Sequence, residues 1–135
     1  MKRAARQPRV AGRRLASAVL IAQTLSASAF AAPDKPRELS GAEIRTVFAG
    51  KIITDGFHWS TYLIPDGSAK SVELGRSNKG RWKVSGNELC VSIPAGAAFH
   101  CRTVVRSGTA FVFRANGQDL YEFTVEAPST KYRFD

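Results

Sequence analysis

Arg81-Trp82-Lys83-Val84-Ser85-Gly86-Asn87-Glu88-Leu89-Cys90-Val91-Ser92-Ile93 is the stretch whose reading decides the fold class. Trp82 and Val84 alternate with Arg81 and Lys83, and Leu89, Val91 and Ile93 alternate with Cys90 and Ser92. Successive side chains of a strand point to opposite faces, so a period of two marks two half-buried strands. Ser85-Gly86-Asn87 between them can reverse the chain at little cost. So short a link makes the two strands antiparallel neighbours.

The same signature runs outward in both directions, from Lys51 to Val125. Candidate strands are Lys51–Thr54, Phe57–Ile64, Ser68–Leu74, Arg81–Val84, Glu88–Ile93, Phe99–Arg106, Thr109–Arg114 and Asp119–Val125. Asp55-Gly56, Pro65-Asp66-Gly67, a Gly75–Gly80 loop, Pro94–Ala98, Ser107-Gly108 and Ala115–Gln118 separate them, each with Gly or Pro beside a polar residue. The predicted fold is mainly β: an antiparallel meander of about eight strands forming a small barrel or strongly bent sheet. Alternation sends Phe57, Trp59, Leu63, Val72, Leu74, Trp82, Val84, Leu89, Val91, Ile93, Phe111, Phe113, Tyr121, Phe123 and Val125 inward. Cys90 resists the pattern, because it shares a face with Glu88 and Ser92 whereas Cys101 shares one with Phe99 and Val105. A bulge, or cover on both faces, reconciles them.

One short α-helix precedes the strands. In Leu39-Ser40-Gly41-Ala42-Glu43-Ile44, Ser40 can accept from the Glu43 amide while the Glu43 carboxylate reaches back to Ser40. Leu39 and Ile44 stand as a hydrophobic staple, Ile44, Val47 and Phe48 share a face, and Gly50 suits a left-handed stop. A helix of two to three turns cannot stand alone and must dock on the sheet.

Residues 1–31 read as a cleavable signal peptide. Lys2, Arg3, Arg6, Arg9, Arg13 and Arg14 precede an apolar run from Leu15 to Leu25, and small residues follow. Ala29-Phe30-Ala31 places the cut after Ala31, with Ala32 the near alternative. The apolar run is shorter than the roughly 20 residues a spanning helix needs. Residues 32–38 form a flexible leader and 39–135 a single β domain. Cleavage would leave 104 residues with 14 basic and 11 acidic side chains, a net charge of +3. The full-length value of +9 therefore belongs mostly to the targeting segment, which removes nucleic acid from the expected partners.

Cys90 and Cys101 are the only cysteines, and pairing is the default in an oxidising compartment. A metal site with His100 is the alternative, disfavoured because thiolates oxidise there and only two histidines exist. No cofactor is implied. The predicted strands fall short of the roughly 9–11 residues of a membrane-spanning strand, so the mature chain is not expected to insert in a membrane.

Leu39-Ser40-Gly41-Ala42-Glu43-Ile44, Tyr62 with Pro65-Asp66-Gly67, Gly80-Arg81-Trp82-Lys83-Val84 with Gly86 and Leu89-Cys90, and the second Cys101 together resemble a family of small exported bacterial proteins of unknown function. The resemblance runs from about Leu39 to Val105 and implies export and a disulfide-bearing β domain, with no activity attached. Ser77-Asn78-Lys79-Gly80-Arg81-Trp82 is also loosely similar to the enzyme-entering loop of periplasmic barrel inhibitors of secreted hydrolases, proteases or lysozymes.

His58, flanked by Phe57 and Trp59, reads as a solvent-facing strand histidine, and His100 points away from Cys101, so no thiol–histidine pair forms. Asp55 and Asp66 precede turn glycines and serve the turns, and no carboxylates are paired for acid–base work. What remains is a basic cluster: Lys70, Arg76, Lys79, Arg81 and Lys83, with Tyr62, Trp59 and Trp82 as aromatic flanks. Such a surface suits an acidic protein or an anionic envelope polymer, or it is an ordinary solvated edge. The expected function is a non-catalytic envelope or secreted binding protein, with an inhibitor of a secreted or periplasmic hydrolase as the alternative and an enzyme third.

Overall fold

The computed structural model describes residues 35–135, so the predicted signal peptide, its predicted cut at Ala31 or Ala32 and the first residues of the predicted leader lie outside the described residues. The elements are β1 (Arg37–Glu38), α1 (Gly41–Phe48), β2 (Lys51–Thr54), β3 (Trp59–Leu63), β4 (Ser68–Glu73), β5 (Arg76–Ser85), β6 (Glu88–Ser92), β7 (His100–Ser107), β8 (Ala110–Ala115) and β9 (Gln118–Glu126). Each strand from β2 to β9 pairs antiparallel with the next, and β9 returns to β2 with Val125 opposite Ile53. The result is a closed eight-stranded antiparallel barrel with one short helix. Closure removes the free edges that invite aggregation.

The end of the leader is structured. Arg37 and Glu38 pair with Arg106 and Val105, extending the β7 edge past its ladder with β6. Arg37 also holds Glu43 in a two-pronged ion pair, at 2.7 and 3.1 Å.

α1 starts with the expected capping box: Ser40 Oγ accepts from the Glu43 amide at 3.3 Å and Glu43 accepts from the Ser40 amide at 2.9 Å. It ends at Phe48 with Ala49 as its C-cap, and Gly50 follows with a φ of 74° that suits glycine. Ile44 and Phe48 are fully buried, and the Phe48 ring meets Phe111 at 5.2 Å and Phe123 at 5.9 Å. The helix therefore plugs one end of the barrel. A Cβ on Gly41 would collide with the Gly86 carbonyl, so glycine lets the helix start approach the β5–β6 turn.

The inner face carries Ile53, Leu63, Ala69, Trp82, Leu89, Val104, Phe111, Phe113 and Phe123. Three inward assignments are corrected. Phe57 is 91% exposed in the β2–β3 turn and Leu74 is 76% exposed in the β4–β5 turn. Val72 is out of phase, because Ala69 is in the core and places Ser71 and Glu73, not Val72, on the same inner face.

The Gly75–Gly80 loop is also corrected: it belongs to the ten-residue β5, which pairs with β4 from Arg76 to Arg81. The reversal is the two-residue turn Leu74-Gly75, with φ of 46° and 79°. With β5 at ten residues and β9 at nine, strand length no longer argues against a membrane barrel. The outer face presents Lys70, Lys79, Arg81, Lys83 and Glu122.

Candidate functional site

The up-and-down order brings the turns before β3, β5, β7 and β9 to the end opposite the helix. At that end the inner wall changes character. Row by row it carries Trp59, Glu73 and Arg76, then Thr61, Ser71 and Asn78, then the core pair Leu63 and Ala69 beside Gly80. Across the barrel Val91 stands opposite His100, Leu89 opposite Arg102, and Phe113 opposite Tyr121. Trp59, Glu73, Thr61 and Ser71 on one side and Val91, His100, Leu89, Arg102, Phe113 and Tyr121 on the other line a solvent-open cavity of about 550 Å³. Its buried apolar part is Ile53, Leu89 and Phe113; Trp59, Val91 and Ile93 continue it, and Thr61, Ser71, Glu73, His100, Arg102 and Tyr121 supply its polar groups.

Arg102 is half-buried on this wall. Its Nη1 donates to the Tyr121 hydroxyl at 2.7 Å, and its Cζ lies 5.5 and 5.9 Å from the Tyr121 and Phe113 ring centres. The aromatic faces offset part of the cost of taking the cation out of water. Burial raises the Tyr121 hydroxyl above its ordinary pKa, against the pull of the Arg102 charge and with help from Glu73, so the phenol stays neutral. Thr61 and Ser71 are buried opposite one another, and neither hydroxyl has a hydrogen-bond partner among the described residues. Both therefore face the cavity with hydrogen-bonding capacity to spare.

Asp55 sets the rim. Its Oδ1 accepts from the amides of Phe57, His58 and Trp59 at 2.8–3.1 Å, and its Oδ2 meets His58 Nδ1 at 2.8 Å. Desolvation raises the carboxyl's pKa, but the three amides and the His58 ring outweigh it and hold it well below the usual range. This network leaves Phe57 outside and turns Trp59 into the barrel.

The basic residues singled out in the sequence divide between two faces. Lys79, Arg81 and Lys83 lie on the outer face of β5, with Lys70 directly opposite Lys79. Arg76 falls on the other face, at the open end beside Glu73. Tyr62 is next to Lys70 on the outer face and lies against Phe134, ring centres 6.2 Å apart. Trp59 and Trp82 face inward and do not flank the cluster. Ser77 to Trp82 is a segment of β5, laddered to β4 as far as Arg81 and to β6 from Arg81 onward, not a protruding loop.

Cys90 and Cys101 face each other across the β6–β7 ladder and are joined as a disulfide. Both lie on the outer face, where the Pro94–Phe99 loop provides the cover that Cys90 requires: Ser92 Oγ donates to the Ala97 carbonyl at 2.6 Å, and Lys83 Nζ lies 4.4 Å from the Phe99 ring centre. His100 is on the opposite face, inside the mouth.

The sequence reading missed Arg102, Tyr121, Thr61 and Ser71 as a site. One signal was available: if Cys101 shares its face with Val105, then His100, Arg102 and Val104 share the other, which puts an arginine on the core side of a strand. Comparison of the chain with protein-family models, curated proteins and solved structures finds no match.

Proposed function

We propose that this chain is an exported, non-catalytic binding protein that holds a small molecule in the open end of its barrel. The observation that carries this reading is the cavity itself, whose volume of about 550 Å³ is in the range of small-molecule sites. A barrel filled for stability alone would place aliphatic side chains where Thr61 and Ser71 stand. His58 is engaged with Asp55 in the rim turn, and His100 lines the mouth of the cavity. Export is supported by the basic and apolar pattern of residues 1–31 and by the disulfide.

The test is a fluorescence titration with N-phenyl-1-naphthylamine, an uncharged apolar dye that brightens out of water. Saturable binding at a single site, with energy transfer from tryptophan that is reduced in Trp59→Phe, supports the reading. Absence of saturable binding contradicts it.

A second reading rests on the outer face. Lys70, Lys79, Arg81 and Lys83 share it, and none has a carboxylate within 4.0 Å among the described residues. Like charges directly opposed on adjacent strands are unfavourable, and an acidic protein or envelope polymer lying across them would neutralise the cost.

A further inference from the structure

We propose that the ligand of the barrel cavity is an organic monoanion: an apolar body of one or two rings bearing a single acidic head group that Arg102 receives. The inference deepens the small-molecule reading above and rests on it.

Arg102 is the starting point. Arg37 holds Glu43, Arg114 holds Asp119 and Glu38, and the exposed Arg106 donates to the Gly108 carbonyl outside the cavity. Arg102 lines a cavity, is half-buried, and among the described residues has only a neutral phenol as hydrogen-bond partner. A guanidinium carries five N–H donors in a planar fork, so one bond to Tyr121 leaves most of that capacity unused. Glu73 lines the same cavity yet makes no ion pair with Arg102, although its charge is felt at Tyr121. A carboxylate or sulfonate against this fork supplies the missing counter-charge in the geometry guanidinium binds best.

The rest of the wall fixes the remainder of the ligand. Thr61 and Ser71 offer unpartnered hydroxyls that can donate to an anionic oxygen, whereas Ile53, Leu89, Val91 and Phe113 offer only apolar contact. One polar end and one apolar body follow. Glu73 at the mouth sets the charge number, because a second acidic group on the ligand would sit against a carboxylate. His100, which lines the cavity, and Arg76, beside Glu73, are both exposed, and Asp55 and His58 are paired with each other in the rim turn.

The experiment uses a matched pair of probes. 1-Anilinonaphthalene-8-sulfonate is N-phenyl-1-naphthylamine with one sulfonate added, so their affinity ratio isolates the head group. With the native protein the sulfonate is expected to bind about tenfold tighter at low salt, the scale of one charge-assisted contact. In Arg102→Gln the ratio of sulfonate to uncharged-dye affinity should fall to about one, whichever way the uncharged dye's own affinity moves. Glu73→Gln should raise that ratio about twofold to threefold, which keeps the test decisive if Arg102→Gln does not fold. Equal affinities in the native protein, or a sulfonate advantage that survives Arg102→Gln, overturn the proposal while leaving the cavity reading intact. If neither dye binds, both fall.

Discussion

The amide of Gly41, the first residue of α1, donates to Asn87 Oδ1 at 2.9 Å, fastening the helical plug to the β5–β6 turn. An otherwise orphaned helix N–H is thereby satisfied by a residue 46 positions away. Asn87→Ala should lower stability by about 1 kcal/mol, as should Ser40→Ala at the neighbouring cap. Because both act on the same helix start, the double variant should lose less than the sum. Urea unfolding midpoints measure all three, and an unchanged midpoint in Asn87→Ala would show that the tether carries no load.

The Cys90–Cys101 cross-link spans an 11-residue separation on adjacent strands. Restricting the unfolded chain over so short a loop contributes about 2–3 kcal/mol. Reduction should therefore shift the unfolding midpoint while the barrel persists, since its closure runs through eight ladders and not through the sulfurs. Thiol titration of unfolded, unreduced protein should find no free cysteine. Two free thiols would refute the pairing.

Acid should loosen the helix end first. Arg37's hydrogen bonds, then the Ser40 amide, lower the Glu43 pKa from 4.5 to about 2. A carboxyl depressed in the folded state contributes stability that is fully present above pH 4.5 and is lost as the pH falls through about 2. Asp66 is lowered by its hydrogen bonds from Ser68, and Asp55 by its turn amides against desolvation, so both act in the same direction. Stability measured from pH 6 down to pH 2 should fall, and Glu43→Gln should flatten part of that slope. A parallel slope in the variant would mean that the Glu43 interactions do not couple to folding.

What could be read from the sequence was whatever is local or strictly periodic. Ser40 and Glu43 settle the cap between themselves, and the alternation around Trp82 and Leu89 found β5 and β6 because their inner positions there are apolar. Periodicity failed at Leu74 to Gly80 for a physical reason: the turn puts a leucine at positive φ, and the inward residues beyond it, Arg76 and Asn78, face the open end instead of the core. Thr61, Ser71 and Arg102 are equally inward and equally polar. The residues that break the alternation are those that line the cavity, so the site hid where the pattern gave out.

The outer basic face gives predictions of opposite sign for stability and binding. Lys79→Glu replaces a like-charge pair with Lys70 by an opposite-charge one, which should stabilise the domain by about 0.2–1 kcal/mol. Its affinity for polyglutamate should fall, and with it the salt dependence of binding. Unchanged binding across salt would leave this face an ordinary solvated edge. Trp82→Ala is the contrasting case, since the ring is in the core and its Nε1 donates to the Ile64 carbonyl at 2.6 Å. That variant should lose about 3–5 kcal/mol.

Filling the cavity tests the central claim most directly. Ser71→Leu places an apolar side chain into the space between Thr61 and Asn78, on a wall where the hydroxyl has no partner to lose. The measurement is the affinity for N-phenyl-1-naphthylamine, alongside the unfolding midpoint, for the native and Ser71→Leu proteins. The account predicts that the variant keeps its midpoint and loses at least about tenfold in dye affinity. A folded variant that binds the dye as tightly as the native protein would place the ligand elsewhere and contradict the account.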